Sequence, residues 1–207
     1  MIVIADTSYL KGIDVSHYQG DVDWSAVKND GVVFAYTKAA EGETGADSEF
    51  AENWAAMKSA GIIRGAYDFY RVGDSPDKQL QNFTAKVNLE QGDLPPMVDI
   101  ETVNGAIETV QSLSSELHKY LEALESHYGL KPIIYTSNGF WNKYLDASFS
   151  AYPLWIAEYG VQSPREPNGW GSWVFWQYSQ NGTVNGIDGS VDLDYFNGTL
   201  DDLKNLT

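Results

Sequence analysis

The chain has 207 residues, with 29 acidic against 13 basic side chains and a formal charge of −16. That balance opposes long-range attraction to DNA, RNA or an anionic membrane surface, so neither a nucleic-acid partner nor membrane insertion is expected. The lack of cysteine removes disulfides, thiol nucleophiles and cysteine-based zinc sites, while 7 Trp, 13 Tyr and 8 Phe form an aromatic excess that needs a reason.

One catalytic domain spanning residues 1–207 is expected at this length. The opening "MIVIADTSYL" has neither the basic start nor the long apolar stretch of a signal peptide, and no apolar run is long enough to span a bilayer. In chain order, short runs rich in β-branched and aromatic residues predict eight strands: 11–16, 32–39, 63–70, 95–101, 131–137, 152–159, 173–179 and 191–196. Between them, Phe50, Trp54 and Met57 recur at helical spacing before Gly61. Leu113, Leu117, Leu121 and Leu124 form a longer stripe ending near Gly129 and Pro132, and two further helices are expected around 76–90 and 138–148. Strands alternating with helices imply a mainly parallel sheet, and eight of them imply closure. The fold class is therefore α/β, a (β/α) barrel of about eight strands with fewer than eight helices. It is modified in the last quarter, where "GVQSPREPNGWGS" and "QNGTVNGIDGS" read as loops.

In such a barrel the site gathers at the C-terminal ends of the strands. The run "PPMVDIE" ends there with Asp99 and Glu101. Two positions apart on a strand, their side chains share a face, with Cα atoms roughly 6.5–7 Å apart. Val98 and Ile100 then pack on the other side. Two such acids raise one another's pKa, so that one can hold a proton while the other is charged, as glycosidic hydrolysis requires. Taken alone, a D-x-E pair reads first as an exposed strand end or a helix cap, and second as two ligands for a divalent cation.

The blocks "KGIDVSHYQGDVDW", "AYTKAAEG", "GAYDFY", "PPMVDIE", "IIYTS", "LWIAEY", "WVFWQYS" and "VDLDYF" supply the context. In order and approximate spacing, over residues 11–198, the chain resembles the family 25 glycoside hydrolases, lysozymes also called N-acetylmuramidases. The resemblance implies a modified β/α barrel that cuts the β-1,4 bond between N-acetylmuramic acid and N-acetylglucosamine in bacterial peptidoglycan. Carried over block by block, it implies Glu101 as general acid and base, Asp99 as the partner that orients the 2-acetamido group, and Asp14 and Asp192 as two further acids of the site. Alternation puts Asp194 on the same face as Asp192, and the family match favours Asp192.

Flat sugar faces favour aromatic partners. Tyr67 and Tyr135 are the first candidates, followed by Tyr36, Phe69, Trp155 and Trp176, with Glu158 and Gln177 as polar contacts. For each aromatic, packing inside the barrel is an equally good role. His17 reads as a hydrogen-bonded structural residue. Asp68 stands where the family often has histidine, so no site role is carried over to it.

No cofactor and no metal site are expected. The partner implied is the glycan strand of peptidoglycan, attacked by a monomer that is secreted or released to reach the wall. Three rivals are a chitinase-like glycosidase, whose D-x-x-D-x-D-x-E strand would need acids at Leu94 and Met97, a non-catalytic glycan-binding barrel, which would be expected to have lost Asp99 or Glu101, and a metal-dependent barrel hydrolase, which would need histidines at its strand ends.

Overall fold

The computed structural model describes residues 9–103 and 110–207. The opening stretch read above for a leader lies, through residue 8, outside the described residues. Eight strands close into one barrel: β1 (Leu10–Val15), β2 (Phe34–Glu41), β4 (Ile63–Phe69), β5 (Met97–Asp99), β6 (Ile133–Ser137), β7 (Leu154–Ala157), β8 (Phe175–Gly182) and β9 (Val191–Phe196). A two-residue strand, β3 (Gly45–Ala46), folds back antiparallel on β2 as an appendage. Consecutive barrel strands from β1 to β8 pair in parallel, and β9 runs antiparallel between β8 and β1. That inserted strand is the modification the loop-rich last quarter foreshadows.

Strand starts follow proline chemistry. Pro95–Pro96, Pro132 and Pro153 have no N–H to give a ladder, so β5, β6 and β7 begin just after them. The proline carbonyls are still used: Ile133 N donates to Pro96 O at 2.9 Å and Ile134 N to Pro153 O at 3.0 Å.

Among the described residues six α-helices pack outside the barrel: α1 (Trp24–Asn29), α2 (Phe50–Ser59), α3 (Pro76–Thr84), α4 (Val110–Tyr128), α5 (Asn138–Tyr144) and α6 (Leu200–Lys204). The helix expected over 76–90 stops at Thr84. The one expected over 138–148 breaks at Leu145, which is extended, before a 3-10 turn at Ala147–Phe149. No described helix is long and apolar enough to cross a membrane.

Two apolar layers result. Val98, Ile100, Leu117, Leu121 and Leu124 belong to the outer layer, between sheet and helices. The barrel interior holds Phe34, Tyr36, Met97, Ile133, Trp155, Phe175 and Phe196. Glycine makes room for the large rings: a Cβ on Gly12 would lie 2.2 Å from the Phe34 ring, and one on Gly65 2.3 Å from the Tyr36 ring. Each glycine is the ladder partner of the aromatic residue it accommodates. Much of the aromatic excess is therefore interior filling.

Candidate active site

The acids meet where strands end. Asp14 on β1 faces Asp192 on β9 across the antiparallel ladder. Asp99 closes β5 between Phe69 on β4 and Tyr135 on β6. Glu101 follows two residues later and is exposed. These four acids line a depression of about 190 Å³ together with Ser16, Tyr18, Gln19, Lys38, Tyr67, Phe69, Met97, Tyr135 and Gln177.

Gln177 organises the floor. Its Nε2 donates to Asp14 Oδ2 at 2.7 Å, while its Oε1 accepts from the Tyr135 hydroxyl at 2.8 Å and from the Tyr159 hydroxyl. Asp194 lies deeper than Asp192, fully buried, and accepts from Trp155 Nε1 at 3.2 Å. Asp99 Oδ1, also buried, has no hydrogen-bond partner among the described residues.

Charge repulsion and burial set the protonation. Burial, then the Asp192 charge, pushes Asp14 up to about 8. Burial, then the Glu101 and Asp14 charges, holds Asp99 well above the usual carboxylate range. Asp192 is pushed up to about 6 by burial and then Glu101. Glu101 is raised by desolvation against the opposing pull of Lys38. The acids titrate as a set, so the cluster holds protons near neutral pH that ordinary carboxyl groups would have released.

Lys38 is the one cation lining this depression among the described residues. Its ammonium pairs with Glu41 and stands 4.8 Å from the centroid of the Phe69 ring. Tyr18, 82% exposed, stands at the rim on a short turn fixed by reciprocal caps. Gln19 Oε1 accepts from Ser16 N at 2.9 Å, and Ser16 Oγ accepts from Tyr18 N at 3.3 Å. His17 supports that turn, with Nδ1 2.7 Å from Asp47 Oδ2 and its ring 4.2 Å from that of Tyr18.

Of the sequence candidates, Asp14, Asp99, Glu101, Asp192, Tyr67, Phe69, Tyr135 and Gln177 come together. Tyr36 and Trp155 do not reach the depression. Both are fully buried below it, with the Tyr36 hydroxyl donating to Pro95 O at 2.9 Å. Trp176 packs in the outer layer and donates to Glu158 O at 2.8 Å. Glu158 ties down the β7–β8 loop through Arg165, accepting from Arg165 Nε at 2.6 Å. None of the four lines the depression: Tyr36 and Trp155 share the inward face but lie below it, since strand alternation says nothing of depth, whereas Trp176 faces outward and Glu158 follows the end of β7. Asp68 faces away from the site and accepts from the Tyr120 hydroxyl of α4 at 2.7 Å. Tyr18 and Tyr159 were not among the sequence candidates, and Lys38 stood out in the sequence only as a polar residue at a strand end. For Tyr18 a usable signal existed: an aromatic between a strand end and Gly20, where no core position is due.

The barrel gathers four acids at its mouth, and among the described residues Asp99 Oδ1 and, deeper, Asp194 Oδ2 have no hydrogen-bond partner. The model of the glycosyl hydrolases family 25 matches residues 13–187, and the chain belongs to that family. It is a glycoside hydrolase of the lysozyme class. It is 35% identical over 206 residues to lysozyme M1 of Streptomyces globisporus, covering 94% of this chain and 72% of that protein. With the autolytic lysozyme of Clostridium acetobutylicum it shares 38% over 187 residues, covering 90% of this chain and 56% of the other. The crystal structure of the bacterial lysozyme from Streptomyces coelicolor superposes with a TM-score of 0.92 at 36% identity, covering 97% of this chain and 98% of that one.

Proposed function

We propose that this single catalytic unit cleaves the β-1,4 bond between N-acetylmuramic acid and N-acetylglucosamine in peptidoglycan, and so acts on the cell wall. The observation that carries the reading is the pairing of Asp99, with its open Oδ1, and Glu101, raised toward protonation, at one strand end. Glu101 gives its proton to the leaving O4 of N-acetylglucosamine. The carbonyl oxygen of the muramic acid's own 2-acetamido group attacks the anomeric carbon as the glycosidic bond breaks, and Asp99 Oδ1 accepts the acetamido N–H. Glu101, now a carboxylate, takes a proton from water, whose oxygen adds to the anomeric carbon and releases the acetamido group. Asp192, the more readily ionised of the remaining two acids, puts negative charge facing the developing cation, with Asp14 opposite it on the ladder as a hydrogen-bonding neighbour. Tyr67, Phe69 and Tyr135 border the reacting ring, and Tyr18 offers an exposed face to a neighbouring sugar.

The test is mass spectrometry of soluble fragments released from purified peptidoglycan and reduced with borohydride. Muramitol ends are expected. Glucosaminitol ends, or no fragments, would overturn the bond assignment.

A further inference from the structure

Beside the acid-lined depression lies a second cavity of about 620 Å³, over the β2–β3 turn and the loop after β4. Lys38 lines both, so the two share a wall. At 190 Å³ the first is smaller than the 300–1,000 Å³ usual for small-molecule pockets, and the second falls within that range.

The cavity has a built wall and an ordered charge pattern. Asn82 Nδ2 donates to Gly42 O at 2.9 Å and Gly45 O at 2.8 Å, which pins the turn to α3. On the side shared with the acids, Lys38 and Arg71 both pair with Glu41, and both stand over the Phe69 ring, 4.8 and 5.3 Å from its centroid. These two cations stand against Glu41 on the open face of this end, while Asp47, the other acid of this wall, is buried and held by His17 N at 3.0 Å and Nδ1 at 2.7 Å. Toward α3 stand Glu43 and Asp74. Glu43 accepts from Lys78 Nζ at 2.8 Å and Ser75 N at 3.0 Å, and among the described residues the Asp74 carboxylate takes only a long contact of 3.4 Å from Glu43 N. That end is negative.

We infer that this cavity binds the peptide stem carried on the muramic acid lactyl group, its positive end taking the carboxylate of the second stem residue and its negative end the ammonium of the diamino acid that follows. The inference rests on the peptidoglycan reading above. A stem leaving a muramic acid seated beside Asp99 and Glu101 meets the shared Lys38 wall first. Three extended residues span about 10 Å, so carboxylate and ammonium would arrive in the order in which the charges are arranged. Charge complementarity of this kind sets orientation and selectivity more than raw affinity.

The experiment compares soluble, un-crosslinked glycan strands that carry stems with the same strands stripped by an amidase. For the unmodified chain, KM is expected to be about 5- to 10-fold lower on stem-bearing strands, with kcat within about 3-fold. Ala46→Phe, which places a ring in the cavity from an exposed position of β3, and Glu43→Gln should each bring the ratio of the two KM values toward one. Equal KM values for the unmodified chain, or a ratio that both variants preserve, would overturn the stem site while leaving the muramidase reading intact. If neither kind of strand is cut, the muramidase reading fails and the stem site with it.

Discussion

Asp93 and Asp99 stand at opposite ends of the segment that forms β5, and both are buried. Asp93 receives the Arg64 guanidinium as a fork, Nε to Oδ1 at 2.7 Å and Nη2 to Oδ2 at 2.9 Å, and accepts from Glu90 N at 2.8 Å. Arg64 in turn stacks over Trp54 at 3.9 Å. Among the described residues Asp99 has no such partner: its Oδ1 is unpaired and its strongest charged neighbours are Glu101 and Asp14. The segment thus carries a satisfied carboxylate ahead of β5 and a frustrated one at its mouth. Buried groups without partners cost stability, and a role for Asp99 in substrate chemistry, as proposed above, would offset that cost at the mouth.

The contrast is broken most directly at its functional end. Glu101→Gln should reduce glycan turnover by about 10²–10⁴-fold, the usual share of a general acid, while thermal unfolding stays level or rises because a repelling charge has gone. A variant that still clears walls at the unmodified rate would remove Glu101 from the mechanism. At the structural end, Arg64→Ala should strip Asp93 of its counter-ion and cost about 3–5 kcal/mol in chemical denaturation. Turnover per folded molecule should hardly change; a loss of turnover with stability intact would mean that the base of β5 is also functional.

How far this was readable from sequence depends on what each residue answers to. The eight strands are legible because runs such as "IIYTS" and "VFWQYS" are buried on both faces and bounded by proline, glycine or asparagine. The helices α1 and α6, of six and five residues, are too short to show a period. Asp99 and Glu101 are legible through alternation, which also separates Val98 and Ile100 from them. Tyr36 and Trp155 mislead because they share the inward face with the site yet lie one layer below it. Tyr18 sits on a 3-10 turn after β1, where neither strand nor helix periodicity applies. Lys38 is visible at its strand end, but its pairing with Glu41 beside a second cavity exists only in three dimensions.

Asp68 is an intermediate case that sharpens the comparison. It is fully buried behind the β4 wall, with one oxygen bonded to the Tyr120 hydroxyl and Oδ1 unpartnered, and burial pushes it up to about 7. A carboxyl whose folded pKa exceeds its unfolded value stabilises the fold fully below about pH 4, and that contribution is lost as pH rises through the folded value. For Asp68 the window is pH 4 to 7 and the ceiling about 4 kcal/mol. Asp14 and Asp192 add to the same downward slope. Asp68→Asn should therefore melt higher than the unmodified chain at pH 8, with the advantage shrinking or reversing at pH 5. An equal gap at both values would mean that Asp68 does not titrate in that window.

The smallest effect belongs to Tyr18, where the mouth meets solvent. Its ring is exposed and rests on His17, so removing it leaves no cavity, and Tyr18→Ala should scarcely alter stability. If it serves as a sugar platform, KM for glycan should rise about 5- to 10-fold, near the upper end of an aromatic contact, with kcat held because the ring touches no reacting atom. Tyr18→Phe should restore most of the loss, since stacking needs the face and not the hydroxyl. An unchanged KM in the alanine variant would assign the ring to His17 support alone. A phenylalanine variant as weak as alanine would move the contact to the hydroxyl and make the rim, like the floor around Gln177, a matter of hydrogen bonds.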